Sequence, residues 1–277
     1  MAAPRSERLT KWLVAGPPLA FLLAFFLLPA LIMALASLRY PGEFGGLAPF
    51  AGSPGEAGLT FENYALFFGD WIYAEIFAKS LFVAALTTLV CLVMAYPLAM
   101  LIARSPKPRR DFMVLLVILP FASNFLVRVY AWMIILGPMD LLFSRFAVIV
   151  GMVYVHLPFM ILPLYTNLEK HDPALLDAAQ DLGANAWQTF WRVTFPLSLP
   201  GVFSGAALVF IPVLGMFAVP ELLGGKDDWM VGNMIKESFL GTRDWPFGSM
   251  LSIMLTLAVL AIAGAAALYA RKEVAHA

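Results

Sequence analysis

Six long apolar runs alternate with polar connections along the chain, at about 12–38, 81–102, 111–136, 146–165, 202–223 and 247–269. Each reaches the roughly 20 residues an α-helix needs to cross about 30 Å of hydrocarbon. The pattern predicts an all-α membrane protein with six transmembrane helices. The first run follows Arg5, Arg8 and Lys11, the order of a secretory signal, and Ala34-Leu35-Ala36 resembles a cleavage site. A signal core spans only roughly 7–15 residues, so this longer run reads as an uncleaved first span. Segment 1–11 is then a short polar lead, and 12–277 forms one transmembrane domain. The third run holds Asn124 and Arg128. The fifth opens at Gly201, pairs it with Gly205 at a spacing that lets helices approach closely, and is interrupted by Pro212, Gly215 and Pro220.

Two connections are long enough to carry structure. Residues 39–80 end in an aromatic band (Phe61, Tyr64, Phe67, Phe68, Trp71 and Tyr73), which suits either an interfacial helix or a loop helix packed on the bundle. Residues 171–201 read HDPALLDAAQDLGANAWQTFWRVTFPLSLPG. Asp172 followed by Pro173 is a helix start, because the carboxylate accepts free backbone N–H groups and proline fits the first helical position. Leu175, Ala179 and Leu182 share one face at helical spacing, and Gly183 stops the helix. Asn185 starts a second short helix carrying Trp187, Phe190, Trp191 and Val193, which Pro196 ends. The stretch is two short helices hinged at a glycine.

Composition agrees: 61% of residues are hydrophobic and 13% charged, far from a soluble protein's balance. The net charge of zero names no partner, but its placement along the chain orients the spans. The N-terminus, the 103–110 loop (Arg104, Lys107, Arg109, Arg110) and the C-terminus (Arg271, Lys272) are basic. The 39–80 connection is mostly acidic, with Glu43, Glu56, Glu62, Asp70 and Glu75 against Arg39 and Lys79. Six spans with both termini in the cytoplasm place 171–201 there too. The one cysteine, Cys91, sits in an apolar run as a free thiol, and His156, His171 and His276 are scattered, so no metal site is expected.

The order Asp177-Ala178-Ala179, three residues, Gly183, nine residues, Val193, one residue, Phe195-Pro196 resembles the EAA loop of ABC importer permeases. Asp stands for the usual Glu at 177 and Phe for Leu at 195, each keeping the chemical type. The likeness covers nearly the whole chain and is nearest to the spermidine/putrescine type. It includes YPLAM at 96–100, SNFLVRVYAW at 123–132, GMVYVHLPFMILPLYTNLEK at 151–170, PELLGG at 220–225 and RDWPFGS at 243–249. The connection near 137–146 departs from the family by lacking an extra outer stretch, either trimmed in this subfamily or absent from the chain as given.

The resemblance implies the type I ABC importer permease fold with a cytoplasmic coupling helix, in the bacterial inner membrane. It implies as partners an ATPase homodimer, a second related permease and an external substrate-binding protein. No G-x-x-x-x-G-K-[ST] loop occurs, so ATP and Mg would be bound by the ATPase, not by this chain. No enzymatic activity, resident cofactor or nucleic-acid partner is expected here. Leu175, Ala178, Ala179 and Leu182 would form the coupling face, Asp177 and Asp181 its polar anchors and Gly183 its turn. Arg128 and Glu221 are candidate pathway residues because intramembrane charge is costly. They form either a mutual salt bridge or, with Asn124, Tyr130, Trp132 and Tyr154, a weakly attractive route for an amine. Arg128 counts towards an anionic or zwitterionic cargo, such as an opine-like conjugate or a phosphonate; thiamine and ferric iron are further alternatives. A secondary transporter would be expected to show inverted repeats or an ion relay, and neither is visible.

Overall fold

The computed structural model describes residues 5–50 and 58–276, with side chains for 13–50 and 58–265. Residues 1–4, Glu56 and the side chains of Arg5, Arg8, Lys11, Arg271 and Lys272 lie outside that description, so the charge bias they carry has no structural counterpart. Among the described residues the regular structure is helical, and the extended backbone is limited to two isolated bridges, Arg39 with Leu59 and Pro41 with Leu47. Among the described residues five helices are long and apolar enough to cross a membrane, and a sixth span forms if one sharply bent pair is counted together. The chain divides into two compact units, residues 1–74 with 234–277, and residues 75–233.

In the first unit, α1 covers residues 5–36, with a π-helical stretch at Leu23–Leu27 just before Pro29. The wider π turn makes room where the proline ring would press on the preceding turn. Most of its apolar side chains, Phe21, Phe25 and Phe26 among them, are exposed, as a lipid-facing helix requires, while Ala36 at its end is buried. Helix α2 (Glu62–Gly69) lies in the 39–80 connection. It is tied to the end of α1 by Tyr64, whose hydroxyl is 2.8 Å from Ser37 Oγ, and by Asn63, which donates to the Ser37 and Arg39 carbonyls. Phe67 is buried and stacks on Tyr73 at 5.8 Å.

The second span starts earlier than its apolar run: α3 runs Trp71–Arg104. Its first turns are polar enough to read as connection, yet Lys79 Nζ donates to the Asp227 carbonyl at 2.6 Å. The third span is not one rod. Helices α4 (Lys107–Ala122) and α5 (Phe125–Met139) meet at 92°. Pro120 and a 3₁₀ turn weaken the end of α4, and Asn124, in an extended conformation, accepts the Leu126 N–H at 2.8 Å to start α5 afresh. The short 137–146 connection closes with left-handed Asp140 and Phe143 and is capped by Ser144 into α6 (Arg145–Leu168).

After α7 (Pro173–Asp181), α8 runs Ala186–Leu214 without a break. The sequence pattern ends the second short helix at Pro196 and opens the fifth span at Gly201; the continuous helix corrects both boundaries. A π-helical segment, Phe190–Thr194, in which Phe195 N–H reaches the Phe190 carbonyl, precedes the proline. The widened turn relieves the clash that proline imposes on the carbonyl four residues back. The break falls at Gly215, before α9 (Ala218–Leu223), followed by α10 (Val231–Lys236) and α11 (Trp245–His276).

Helices α6 and α8 form the tightest pair. A Cβ at Gly201 would stand 2.7 Å from Asn167 Cβ, and one at Gly205 2.7 Å from Met160 Sδ, so the small-residue spacing is what lets these backbones approach. Met152, Met160, Leu164, Val209 and Val213 fill the core around them, and Cys91 is a buried free thiol. In the first unit, α11 packs on Leu28–Ala36.

Candidate functional site

The hinged stretch is built by three local devices. Asp172 Oδ1 accepts the Ala174 N–H at 3.0 Å, with Pro173 in the first turn of α7. At the other end Gly183 has φ +80°, its N–H donates to the Gln180 carbonyl at 2.8 Å, and the Ala184 N–H donates to the Ala179 carbonyl at 3.0 Å. That pair of bonds is the Schellman stop, which needs a left-handed residue and so favours glycine. Two residues on, Asn185 and Gln188 exchange bonds of 2.8 and 3.1 Å in a capping box that starts α8.

The first turns of α8 are fastened to α3 by aromatic contact. Phe190, Trp191 and Phe195 contact one another with centroids 5.0–6.2 Å apart, and Trp187 joins Trp191 at 5.6 Å. Tyr96 of α3 packs edge-on against Phe190 at 5.4 Å, and its hydroxyl meets Ser198 Oγ at 2.8 Å in a buried bond. Helix α7 has no such fastening.

The two faces of α7 differ. Leu175, Ala178, Asp181 and Leu182 are exposed, Leu182 at 89%, while Ala179 is half-buried. Leu175, Ala179 and Leu182 therefore do not form one uniform face. Asp177 lies on the opposite side with Pro173, Leu176 and Gln180; it is exposed as well, at the edge of a cavity of about 390 Å³ shared with Met100, Arg104 and Thr189. A 2.6 Å ion pair between Arg110 and Glu169 holds the basic 103–110 loop beside the foot of α6, so that loop and the hinged stretch lie on one side. Arg145 and Asp228 pair at 3.1 Å at the opposite end of α6.

The pathway candidates separate. Trp132 and Tyr154 meet edge-to-face at 5.6 Å, joining α5 to α6, and Tyr130 is exposed. Asn124 is committed as the cap of α5. Arg128 lies one turn further on, its guanidinium 5.9 Å from the Phe121 ring. Its Nε and Nη1 are buried without a hydrogen-bond partner, and no ion pair with a carboxylate forms among the described residues. The Arg128–Glu221 salt bridge, one of the two alternatives, is thus not made, although α9, which carries Glu221, packs on α5. Among the described residues no group of three or more His, Cys, Asp or Glu is placed to hold a metal.

Sequence reasoning missed Tyr96–Ser198, Arg110–Glu169 and the cavity residues Arg104, Gln180 and Thr189. Nothing local marks them, because each depends on which helices become neighbours.

Residues 95–272 match the family described as binding-protein-dependent transport system inner membrane component. The spermidine/putrescine transport system permease protein PotB of Haemophilus influenzae is 40% identical over 256 residues, covering 86% of each chain. PotB of Escherichia coli K12 is 42% identical over 216 residues, 72% of this chain and 78% of its own. Among solved structures, a bacterial ABC transporter involved in the import of the acidic polysaccharide alginate matches with a TM-score of 0.72 at 18% identity, over 97% of this chain and 99% of that one. A second alginate ABC transporter structure, in complex with an alginate pentasaccharide-bound periplasmic protein, matches with a TM-score of 0.65.

Proposed function

The chain belongs to the family of binding-protein-dependent transport system inner membrane components, and from that premise we propose that it carries spermidine, putrescine or a related small amine inward. It is the transmembrane subunit of an ABC importer. The observation that supports the polyamine reading is the 40–42% identity to spermidine/putrescine permeases over most of the chain.

In this reading the chain supplies half of the pore and a second related permease the other half. An external binding protein delivers cargo, and an ATPase homodimer, holding ATP and Mg, drives the cycle from the cytoplasm. Both termini and the 171–201 loop would face that side. The exposed Leu175, Ala178 and Leu182 would enter the ATPase surface, with Asp181 at the rim and Ala179 behind them. Asp177 would act from the inner face, between α7 and the end of α3. Closure of the ATPase dimer would move α7 about the Gly183 stop while the aromatic-fastened start of α8 passes the motion to the spans. The loop thus needs a stiff contact that differs between ATPase states, more than a tight one.

Trp132, Tyr154 and Tyr130 would offer ring faces to an ammonium, and Glu221 weak charge attraction. A zwitterionic or anionic cargo is the second reading, favoured by the cationic Arg128. The test is uptake of labelled spermidine and putrescine by proteoliposomes holding the chain with its ATPase, second permease and binding protein. Saturable, ATP-dependent polyamine uptake is expected. Uptake of an opine-like conjugate, phosphonate, thiamine or ferric iron without polyamine uptake would overturn the cargo reading.

A further inference from the structure

Among the described residues, Arg128 is the charged side chain within the spans that has buried nitrogens without a hydrogen-bond partner and no ion pair; the other such span groups, Thr87, Asn167 and Thr189, are neutral. It stands one turn into α5, just beyond the 92° bend of the third span, with its backbone N–H bonded to the Asn124 carbonyl at 3.3 Å. Nε and Nη1 are closed off from solvent and make no hydrogen bond, and the nearest aromatic face, Phe121, provides only a distant ring contact at 5.9 Å. A guanidinium cannot shed its proton in a protein, so it cannot escape the cost of burial by becoming neutral. Arginine within a span faces a water-filled cavity or pairs with a carboxylate or a backbone carbonyl, and Nε and Nη1 of Arg128, which is half-buried, have neither partner among the described residues.

Three sources could supply the anion. An anionic cargo would do so only while it passes, leaving the charge unpaired for the rest of the cycle, and a polyamine cargo cannot do so at all. A second copy of this chain would have to offer Glu221, which already has interactions within this chain. A different permease chain, packed against α5 to complete the pore, would offer a permanent partner. We infer that Arg128 is one half of an intersubunit ion pair whose carboxylate is carried on a span of the second, non-identical permease chain.

The inference rests on the two-permease reading but not on the cargo. It also resolves the tension between an intramembrane cation and a cationic substrate: paired across the interface, Arg128 presents no net positive charge to the route. Charge complementarity of this kind fixes which chains pair, because juxtaposed like charges are strongly unfavourable.

The test co-expresses both permease chains, the ATPase and the binding protein, and measures recovery of the second permease with this chain after detergent purification. Recovery with the unaltered chain is the baseline, and its failure would count against the two-permease reading itself. Arg128→Lys should keep most of the recovery. Arg128→Glu should lower it by about tenfold or more, and a carboxylate-to-lysine substitution in a span of the second permease should restore it. Circular dichroism and membrane insertion of the Arg128→Glu chain expressed alone separate misfolding from lost pairing. Unchanged recovery with Arg128→Glu, or restoration only by substitutions within this chain, would overturn the inference.

Discussion

Gly183 is the position where one substitution most directly tests the hinge. Its φ of +80° lies in the left-handed region, and nothing stands within 4 Å of where a Cβ would project, so any penalty there comes from the backbone and not from crowding. An L-residue held left-handed costs about 1–2 kcal/mol, with asparagine tolerated best after glycine. Gly183→Ala should therefore shift the local balance away from the hinged form by about 5- to 30-fold, and Gly183→Asn by less. Gly183→Pro is a different perturbation. The ring fixes φ near −65° and removes the N–H that donates to the Gln180 carbonyl at 2.8 Å. The stop cannot form at all.

The assay is cargo-stimulated ATP hydrolysis in reconstituted vesicles beside the purified yield of the chain. Stimulation should fall in the order Gly, Asn, Ala, Pro, while yield stays level because the substituted residue touches nothing in the spans. Wild-type stimulation in Gly183→Pro, or equal loss in Asn and Ala, would refute the reasoning that backbone geometry at this residue sets coupling.

Other consequences follow from the same packing. Asp172→Ala removes the cap on a nine-residue helix and should raise amide exchange over residues 174–177 with a cost of about 1 kcal/mol. Tyr96→Phe and Ser198→Ala each break the buried bond between α3 and α8; a double-mutant cycle on thermal stability should return a coupling of about 0.5–1.5 kcal/mol, and strict additivity would count against the bond. Gly201→Leu forces a branched side chain against Asn167 and should prevent α6 and α8 from packing, read as loss of folded protein on size exclusion. Glu221→Gln should weaken polyamine uptake at low concentration, and unaltered uptake would remove that residue from the route.

The spans were legible because an apolar run of membrane length has few other uses. The caps of the hinged stretch were legible because Asp172-Pro173, Gly183 and Asn185 act on their own neighbours in sequence. The corrections fall where the decisive interaction is not local. Trp71–Ser80 carries Glu75 and Lys79 and reads as connection, yet it is the start of α3, and Lys79 reaches a carbonyl in residues far along the chain. Pro196 looks like a stop until the π turn before it is seen, and no residue pattern announces that turn. The cap role of Asn124 is a further non-local feature: its extended backbone, which starts a new helix, follows from the bend after Pro120. On α7, helical spacing grouped Leu175, Ala179 and Leu182, but it could not tell that Ala179 would be half-buried while the other two stay exposed.

The account depends most on α7 being the part of this chain that another protein grips. The direct measurement is disulfide or maleimide crosslinking of Leu182→Cys, with the buried Cys91 replaced by alanine, in inside-out membrane vesicles holding the assembled importer. The prediction is a single crosslinked product with the ATPase subunit whose yield changes on adding ATP, and a much weaker one from Ala179→Cys, which is half-buried. Labelling of Leu182→Cys only from the outer side of the membrane, or no crosslink to the ATPase in an actively transporting preparation, would contradict it.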